Sequence, residues 1–425
     1  MKFNEYKHLD LTKIAEEILA FWKAANIFEQ SIASREGAIP FVFFEGPPSA
    51  NGVPGIHHVM ARSIKDIFCR YKTQKGFQVK RKAGWDTHGL PVELGVEKEL
   101  GITKEDIGKK ISVEDYNKAC KEAVMRYTDI WNDLTEKIGY WVDMEDPYIT
   151  YKPKYMESVW WLLKQLYNKQ LLYKGYTIQP YSPKAGTGLS SHELNQPGCY
   201  RDVSDTTVVA QFKVKALAAA ASKALGASTE PIHILAWTTT PWTLPSNTAL
   251  AVGKEIEYVL VKTYNQYTFE PITIIIGKPL LAKQFGKKFV EGDAAALAAY
   301  TPESKIIPYQ ILGECKGADL VGTTYEQLIP WCAPAESADQ AFRVIAGDFV
   351  TTDDGTGIVH IAPTFGADDA RVAKEYGVPP MLVKDAHGNL IPLVDLQGKF
   401  IEGHNIPEAF AGKYIKNEYY DAGQA

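Results

Sequence analysis

Two adjacent histidines, His57 and His58, follow a loop of glycine and proline residues at positions 46–52 (GPPSANG). The apolar run 41–44 before this loop predicts a buried strand, and a helical pattern opens near Gly55. A strand, such a loop and a helix start form an anion site, because free backbone N–H groups and the helix dipole point at the loop. The histidines could place protons or positive charge on a bound phosphate. The same pattern also fits a plain strand–helix unit with two surface histidines.

Two further stretches combine side chains that are poor core material. Residues 235–248 (LAWTTTPWTLPSNT) cluster hydroxyl groups that can bind a ribose, a water or an ester carbonyl. Residues 353–369 (DDGTGIVHIAPTFGADD) place His360 on a predicted strand and two aspartates, Asp368 and Asp369, at a helix start. One of these aspartates can cap the helix, which leaves the other free to meet an amine. The threonine-rich stretch could instead be a polar turn. His360 could instead be an imidazole at the edge of the core that is hydrogen-bonded to the backbone.

The elements that must position these residues follow from apolar spacing. Helices are predicted over 12–28, 112–138 and 154–168, with their apolar residues in the core, and Phe77 with Val79 indicates a second strand. Ligands in open α/β sheets lie at the carboxyl ends of the strands, where the first loop and the segment 84–93 (GWDTHGLPVE) both fall. Short strands separated by turns after residue 200 predict a barrel-like β domain with helices.

Composition narrows the class of protein. The chain has 425 residues with a net charge of −5, which argues against non-specific nucleic-acid binding by the whole surface. The five cysteines form no C-x-x-C pair, so we expect reduced thiols, no structural zinc and no other metal site. No stretch approaches the ~18 apolar residues of a membrane span, and the first residues lack a signal-peptide core. We therefore expect a cytoplasmic protein without a membrane partner.

The words PPSANGxPGxHH and GWDTHGLPVE resemble the nucleotide-binding half of class I aminoacyl-tRNA synthetases, and among them the isoleucyl-tRNA synthetases. The resemblance implies that ATP, with Mg²⁺, and isoleucine react to isoleucyl-adenylate before acyl transfer to tRNA(Ile). It implies phosphate binding by His58, alone or with His57, because the usual His-x-Gly-His reads Gly55-Ile56-His57-His58. Further implied roles are a pocket wall at Gly46 and Pro47, an α-ammonium partner at Asp86, and nucleotide contacts at Gly55 and His88.

The threonine-rich and GTG-containing stretches resemble the editing insertion of the isoleucyl, valyl and leucyl enzymes. The resemblance implies that Asp369 holds the α-amino group of misplaced valine and that His360 shapes the pocket against isoleucine. The ester and terminal adenosine would contact Thr238, Thr239 and Thr240, with Asn247 a weaker candidate. A second site is useful because one methylene changes binding only slightly, a rule for which isoleucyl enzymes are the standard example.

The resemblance also predicts the domain organisation. The fold class is α/β: the first half of a Rossmann-like parallel-sheet nucleotide-binding domain over 1–180 and a mixed, barrel-like editing insertion over 181–405. Residues 406–425 would begin the return to the catalytic domain. The lysine-rich signature loop of the family is not in the sequence. We therefore expect a fragment that edits but does not complete aminoacylation.

Four alternatives remain at the level of sequence. The chain could be a stand-alone aminoacyl-tRNA deacylase, or a non-catalytic module that binds ATP or tRNA. A valine-specific synthetase is the nearest alternative within the family. A dinucleotide oxidoreductase is disfavoured, because no G-x-G-x-x-G occurs at the first strand–helix turn.

Overall fold

The structure is a computed structural model that describes residues 5, 8–175, 177–183, 185–226 and 230–416. It divides into two compact units, Met1–Gly175 and Tyr176–Ala425. The sequence analysis predicted a domain boundary between residues 180 and 181. The assignment of a catalytic role to the first part and an editing role to the second stays a prediction. The predicted return segment 406–425 lies outside the described residues from position 417 onward.

The first unit contains three parallel strands in the order β1-β2-β3, so the predicted Rossmann-like parallel sheet is confirmed. Its strands are β1 (Pro40–Phe44), β2 (Gln78–Trp85) and β3 (Asp143–Ile149). Its helices are α1 (Leu11–Ala24), α2 (Ile27–Ala33), α3 (Ile56–Gln74), α4 (Leu90–Leu100), α5 (Val113–Val124), α6 (Thr128–Lys137) and α7 (Pro153–Asn168), with a 3₁₀ turn at Lys104–Asp106.

Local signals explain most helix boundaries in this unit. Asp10 accepts a hydrogen bond from Lys13 N at 3.1 Å and so starts α1, and Ser112 caps α5 through Asp115 N at 3.0 Å. The single helix predicted over 112–138 is wrong, because the chain forms α5 and α6 with a break between them. Tyr127 N at this break donates to Ala50 O at 3.1 Å, a contact with the distant loop that helical spacing does not reveal.

Burial in the first unit differs from the prediction. The strand β1 forms, but Val42 and Phe44 are each 59% exposed, so the expectation of a buried strand is wrong for one face. β1 is an edge strand, and no element of the described part of the chain covers this face. The apolar residues of α7, expected in the core, include none that is buried.

The second unit is built mainly of short strands. They are β4 (Tyr181–Ser182), β5 (Thr187–Gly188), β6 (Val208–Ala216), β7 (Ile232–Thr238), β8 (Ala249–Val252), β9 (Glu257–Tyr264), β10 (Pro271–Gly277), β11 (Phe289–Glu291), β12 (Ile307–Lys316), β13 (Thr324–Tyr325), β14 (Arg343–Ala346), β15 (Ile358–Ile361), β16 (Leu382–Lys384) and β17 (Leu390–Pro392). Its helices are α8 (Ser191–Leu194), α9 (Ala219–Leu225), α10 (Leu281–Phe285), α11 (Ala294–Ala298), α12 (Gly317–Leu320) and α13 (Ala367–Glu375). Short 3₁₀ helices lie at Pro241–Ser246, Lys278–Leu280, Gly286–Lys288 and Ala338–Gln340.

Ten of these strands form one mixed sheet in the order β11-β12-β9-β10-β7-β6-β13-β14-β8-β15. The sheet curves so that its last strand, β15, comes close to β7. Trp237 N of β7 donates to Thr356 Oγ1, just before β15, at 3.2 Å. This confirms the predicted mixed β architecture. The core inside it is fully closed, with Phe212, Leu250, Val252 and Ile275 all at 0% exposure.

Candidate functional sites

Three chain segments of the first unit meet at the carboxyl ends of β1, β2 and β3. Asp86 N, after β2, donates to Pro48 O in the loop after β1 at 3.0 Å. Thr150 follows β3 and accepts at Oγ1 from Thr87 N, also at 3.0 Å. The two segments that the sequence assigned to one edge of the sheet are therefore adjacent.

The loop 46–52 is held at both ends by side chains from elsewhere in the unit. Trp131 Nε1 donates to Gly52 O at 2.8 Å, and Ala50 beside it is fully buried. At the other end, the carboxylate of Glu45 is 3% exposed and bonds the Lys65 ammonium and the Tyr140 hydroxyl. These contacts fix the loop before any ligand arrives.

The two histidines differ in their surroundings. His58 accepts a hydrogen bond at Nδ1 from Gly55 N at 2.9 Å, so its neutral ring carries the proton on Nε2, where it can be donated. Burial, then the neighbouring His57 and Arg62, lower the pKa of His58 below its ordinary value. His58 is thus neutral at pH 7 and offers a hydrogen bond rather than a charge. His57 is exposed, and its ring lies 3.8 Å from that of His58 between centroids.

The remaining predicted residues of this site line the same edge. Asp86 is half-buried, and its carboxylate Oδ1 accepts from His88 N at 3.4 Å. His88 is exposed, with Nδ1 3.0 Å from Thr150 Oγ1. Gly46 is exposed and Pro47 is half-buried at the start of the loop. Polar groups and a small-residue wall therefore share one open edge.

The second site is a chain of polar side chains at the ends of β7 and β15. Thr238 Oγ1 lies 3.2 Å from Thr240 Oγ1, which lies 3.3 Å from Thr243 Oγ1. Thr243 Oγ1 in turn lies 2.9 Å from Nε2 of His360. Thr239 is exposed between its two neighbours. The structure therefore brings the threonine-rich segment and His360 together.

Burial decides the charge of His360. The residue is 6% exposed, and desolvation lowers its pKa from 6.5 to about 4, so the ring is neutral at pH 7. On its other side, Asn247 Nδ2 lies 3.5 Å from His360 Nδ1, and Tyr325 OH donates to Asn247 Oδ1 at 2.7 Å. Both ring nitrogens thus have partners within the protein.

Asp369 lies in the first turn of α13, in the segment after His360. Its Oδ2 accepts from Ala362 N at 2.8 Å, and burial raises the pKa of its carboxyl above the ordinary value. Its neighbour Asp368 is exposed and pairs with Arg371 at 3.5 Å. The residue pattern alone left both aspartates open, and the family resemblance selected Asp369. The structure shows that Asp369 is the more buried of the two, and its contact with a ligand amine stays a prediction.

Sequence reasoning missed three polar residues at these sites. Thr243 was within the threonine-rich stretch but was not selected. Thr150 and Tyr325 lie on separate strands or strand ends, and no local pattern marks them. Only the folded chain brings Thr150 to Thr87 and Tyr325 to Asn247.

The described residues contain neither a cluster of possible metal ligands nor a membrane-spanning helix. No group of three or more His, Cys, Asp or Glu side chains is placed to hold a metal ion among them. None of the described helices is both long and apolar enough to cross a bilayer.

Comparison with known proteins identifies the family. The chain matches the family described as "tRNA synthetases class I (I, L, M and V)" over residues 17–350, which is more than half of its length. The chain therefore belongs to the class I tRNA synthetases.

Within this family, the similarity to isoleucine–tRNA ligases confirms the resemblance seen in the sequence. The chain is 61% identical to that ligase of Porphyromonas gingivalis, over 100% of this chain and 37% of the relative. It is 61% identical to the ligase of Cytophaga hutchinsonii, over 99% of this chain and 36% of the relative. It is 46% identical to the ligase of Clostridium tetani, over 93% of this chain and 34% of the relative. The chain thus spans little more than a third of the length of these curated relatives.

Similarity to solved structures is low. The LeuRS of a LeuRS–tRNA–LeuAMS complex from Agrobacterium radiobacter K84 is 16% identical, with a TM-score of 0.34 over 89% of this chain and 44% of that chain.

Proposed function

We propose that this chain provides the ATP- and isoleucine-binding part of an isoleucine–tRNA ligase, together with a hydrolytic site that removes valine from tRNA(Ile). The observation that carries the proposal is the combination of two polar sites in a chain that is 61% identical throughout to isoleucine–tRNA ligases. The partners would be ATP, isoleucine and tRNA(Ile), and the location would be the cytoplasm.

The first site would activate isoleucine. A carboxylate oxygen of isoleucine attacks the α-phosphorus of ATP and forms a mixed acyl-phosphate anhydride. The bond between the α-phosphorus and its bridging oxygen to the β-phosphate breaks, and pyrophosphate leaves. The protein contributes position and charge stabilisation. His58 Nε2–H, with or without His57, donates to the phosphates, and Asp86 pairs with the α-ammonium group. Mg²⁺ would enter bound to ATP, which suits an ion that keeps waters and phosphate oxygens as ligands.

The second site would hydrolyse the wrong ester. Asp369 holds the α-ammonium group of valine, and the hydroxyls of Thr238 and Thr240 bond the ester and the terminal ribose. Water attacks the ester carbonyl, the bond to the ribose oxygen breaks, and valine and free tRNA(Ile) leave. Neutral His360, held by Asn247, limits the space for a larger side chain. Thr239, which is exposed, would contact the terminal adenosine.

Deacylation of Val-tRNA(Ile) and Ile-tRNA(Ile) by the chain tests the second site. We expect the valyl ester to be cleaved and the isoleucyl ester to remain near background, because the pocket excludes the larger side chain. A short acceptor-stem mimic, aminoacylated and in excess, removes the need to deliver a whole tRNA. Background rates for both esters, on the tRNA and on the mimic, would contradict the editing function.

Affinity for a non-hydrolysable isoleucyl-adenylate analogue tests the first site. We expect binding that weakens about 100-fold in Asp86→Ala, since the α-ammonium group loses its carboxylate. A valyl analogue bound more tightly than the isoleucyl one would favour a valine-specific enzyme. Without the lysine-rich signature loop, we propose that these 425 residues alone do not complete aminoacylation.

A further inference from the structure

A continuous series of hydrogen bonds runs from Tyr325 through Asn247 and His360 to Thr243. Tyr325 OH donates to Asn247 Oδ1 at 2.7 Å, and Asn247 Nδ2 lies 3.5 Å from His360 Nδ1. His360 Nε2 lies 2.9 Å from Thr243 Oγ1, which donates to Thr240 O at 2.8 Å. These residues come from β13, β15 and the segment after β7, so the fold alone assembles the series.

Backbone carbonyl oxygens orient the side chains on both sides of His360. Asn247 Nδ2 also lies 2.8 Å from Ala249 O, and a carbonyl oxygen can only accept, so this side of the amide must be nitrogen. The amide oxygen therefore faces Tyr325, which has a hydroxyl proton to give. At the other end, Thr243 Oγ1 lies 2.8 Å from Thr240 O, and a hydroxyl that donates its one proton there accepts from His360 Nε2.

One protonation state of His360 satisfies both ends. In this arrangement Nδ1 accepts from the Asn247 amide, whose second N–H also lies near Ile361 O, and Nε2 carries the proton that it donates to Thr243 Oγ1. The opposite tautomer would place the Nδ1–H of His360 against the amide N–H groups of Asn247. A buried mismatch of this kind costs far more than the bond itself contributes.

We propose that Tyr325 and Thr243 are positioning residues that hold His360 in the neutral Nε2–H tautomer and in one ring orientation. The proposal deepens the editing function proposed above and rests on it for its catalytic consequence. With both nitrogens engaged by the protein, the ring presents carbon to a bound ester. His360 then sets the size of the pocket and neither gives nor takes a proton during hydrolysis.

Tyr325 is well suited to this role because it is itself immobile. The residue is 2% exposed, and its ring packs edge-on against Phe212 at 5.3 Å and Phe342 at 6.2 Å between centroids. Its hydroxyl has a bond to Asn247 in the interior, and burial raises its pKa, so it stays a donor at any working pH. This rigid donor on the oxygen side and Ala249 O on the nitrogen side together hold the Asn247 amide in one orientation.

The test combines nitrogen NMR of the full chain with deacylation rates. Labelling the nine histidines with ¹⁵N and assigning the His360 signal with His360→Gln gives the tautomer directly. We expect Nε2–H only in the wild type and a mixture in Tyr325→Phe. In that variant the preference for Val-tRNA(Ile) over Ile-tRNA(Ile) should fall about tenfold, with kcat for the valyl ester nearly unchanged.

Two comparisons separate positioning from simple loss of stability. Thr243→Val should give a mixture of His360 tautomers and a weaker preference for the valyl ester. Thr243→Ser keeps the hydroxyl oxygen and should show the wild-type tautomer and preference. This pair tests the proposal even if Tyr325→Phe does not fold. Tyr264→Phe loses a hydroxyl bond of similar length, to Leu297 O at 2.7 Å, and should change neither readout.

The outcomes for the two proposals are distinct. A wild-type His360 in the Nδ1–H form, a mixture or a charged form at pH 7 would overturn the positioning proposal whatever the rates show. An unchanged tautomer in both Tyr325→Phe and Thr243→Val would overturn it as well. Absence of deacylation with the expected tautomer would instead overturn the editing function and leave the hydrogen-bond series in place.

Discussion

The two polar sites differ in how the chain encloses them. In the second unit, Thr243, Asn247, Tyr325 and His360 are all buried, and each has a hydrogen-bond partner within the unit. In the first unit, His57 and His88 are exposed at an open edge. Core packing therefore prepares the second site in advance, whereas the first site depends on a loop held at its two ends. Substitutions in the second unit should therefore have their largest effect on the reaction rate. Substitutions in the first unit should have their largest effect on the stability of the loop.

The largest expected effect tests whether one carboxylate in the second site anchors the substrate. Asp369→Ala should lower kcat/KM for Val-tRNA(Ile) about 1,000-fold, because the α-ammonium group loses its desolvated partner. The measurement is deacylation under conditions where the enzyme exceeds the substrate. Asp368→Ala, one position away and exposed, is the control and should stay close to the wild type. Equal losses in both variants would remove the distinction between the two aspartates.

The next effect concerns the buried end of the loop in the first unit. Glu45→Ala should destabilise this unit by about 3 kcal/mol, because Lys65 and the Tyr140 hydroxyl lose a buried partner. Hydrogen exchange of β1 and α3 reports the change without interference from the second unit. Asp146→Ala removes an exposed partner of Lys82 and should leave exchange unchanged. Unaltered exchange in Glu45→Ala would show that the loop needs no such support.

A third effect uses pH to test the enclosure of His360. Its pKa of about 4 lies below the ordinary 6.5, so between these values the unfolded chain binds a proton that the folded chain does not. The His360 contribution is constant above pH 6.5, and stability falls as the pH drops towards 4, by about 2.5 kcal/mol near pH 4.5. The raised pKa of Asp369 has the opposite effect, because the folded chain binds this proton more readily than the unfolded chain and gains stability as the pH falls.

Comparison of the wild type with His360→Gln isolates the contribution of His360 to the pH dependence of stability. The difference in unfolding free energy between pH 7 and pH 4.5, measured with urea, should be smaller in the variant. The same pH dependence in both proteins would mean that His360 is open to solvent, and the contrast between the two sites would then disappear.

The smallest effect concerns the glycine that precedes the histidines. A Cβ at Gly55 would lie 2.9 Å from His57 Cε1, so Gly55→Ala should displace the His57 ring and weaken binding of the adenylate analogue about threefold. Calorimetry gives the affinity. Gly95→Ala in α4 has open space around the added methyl and serves as the control. Unchanged affinity in Gly55→Ala would show that the ring position does not matter.

Sequence patterns predicted the elements close to each motif. The apolar run before the loop gave β1, Ser112 gave the start of α5, and the rule for carboxyl ends of strands placed Asp86 beside Pro48. These features depend on neighbouring residues or on a general property of parallel sheets.

Features set by distant contacts were not predictable in the same way. The break between α5 and α6 depends on a bond from Tyr127 to Ala50, and Tyr325 is separated from Asn247 by 78 residues. The exposure of Val42 depends on what covers the sheet, which an apolar run cannot reveal. The general lesson is that spacing identifies candidate side chains, and tertiary contacts decide which of them are held.

The most direct test of the contrast measures two reactions on one preparation of the chain. One is deacylation of Val-tRNA(Ile) against Ile-tRNA(Ile), and the other is isoleucine-dependent exchange between ATP and pyrophosphate. We predict selective cleavage of the valyl ester without exchange, since all the side chains proposed for editing lie in the second unit. Robust exchange with no deacylation would contradict this account, because the open site would then be the active one.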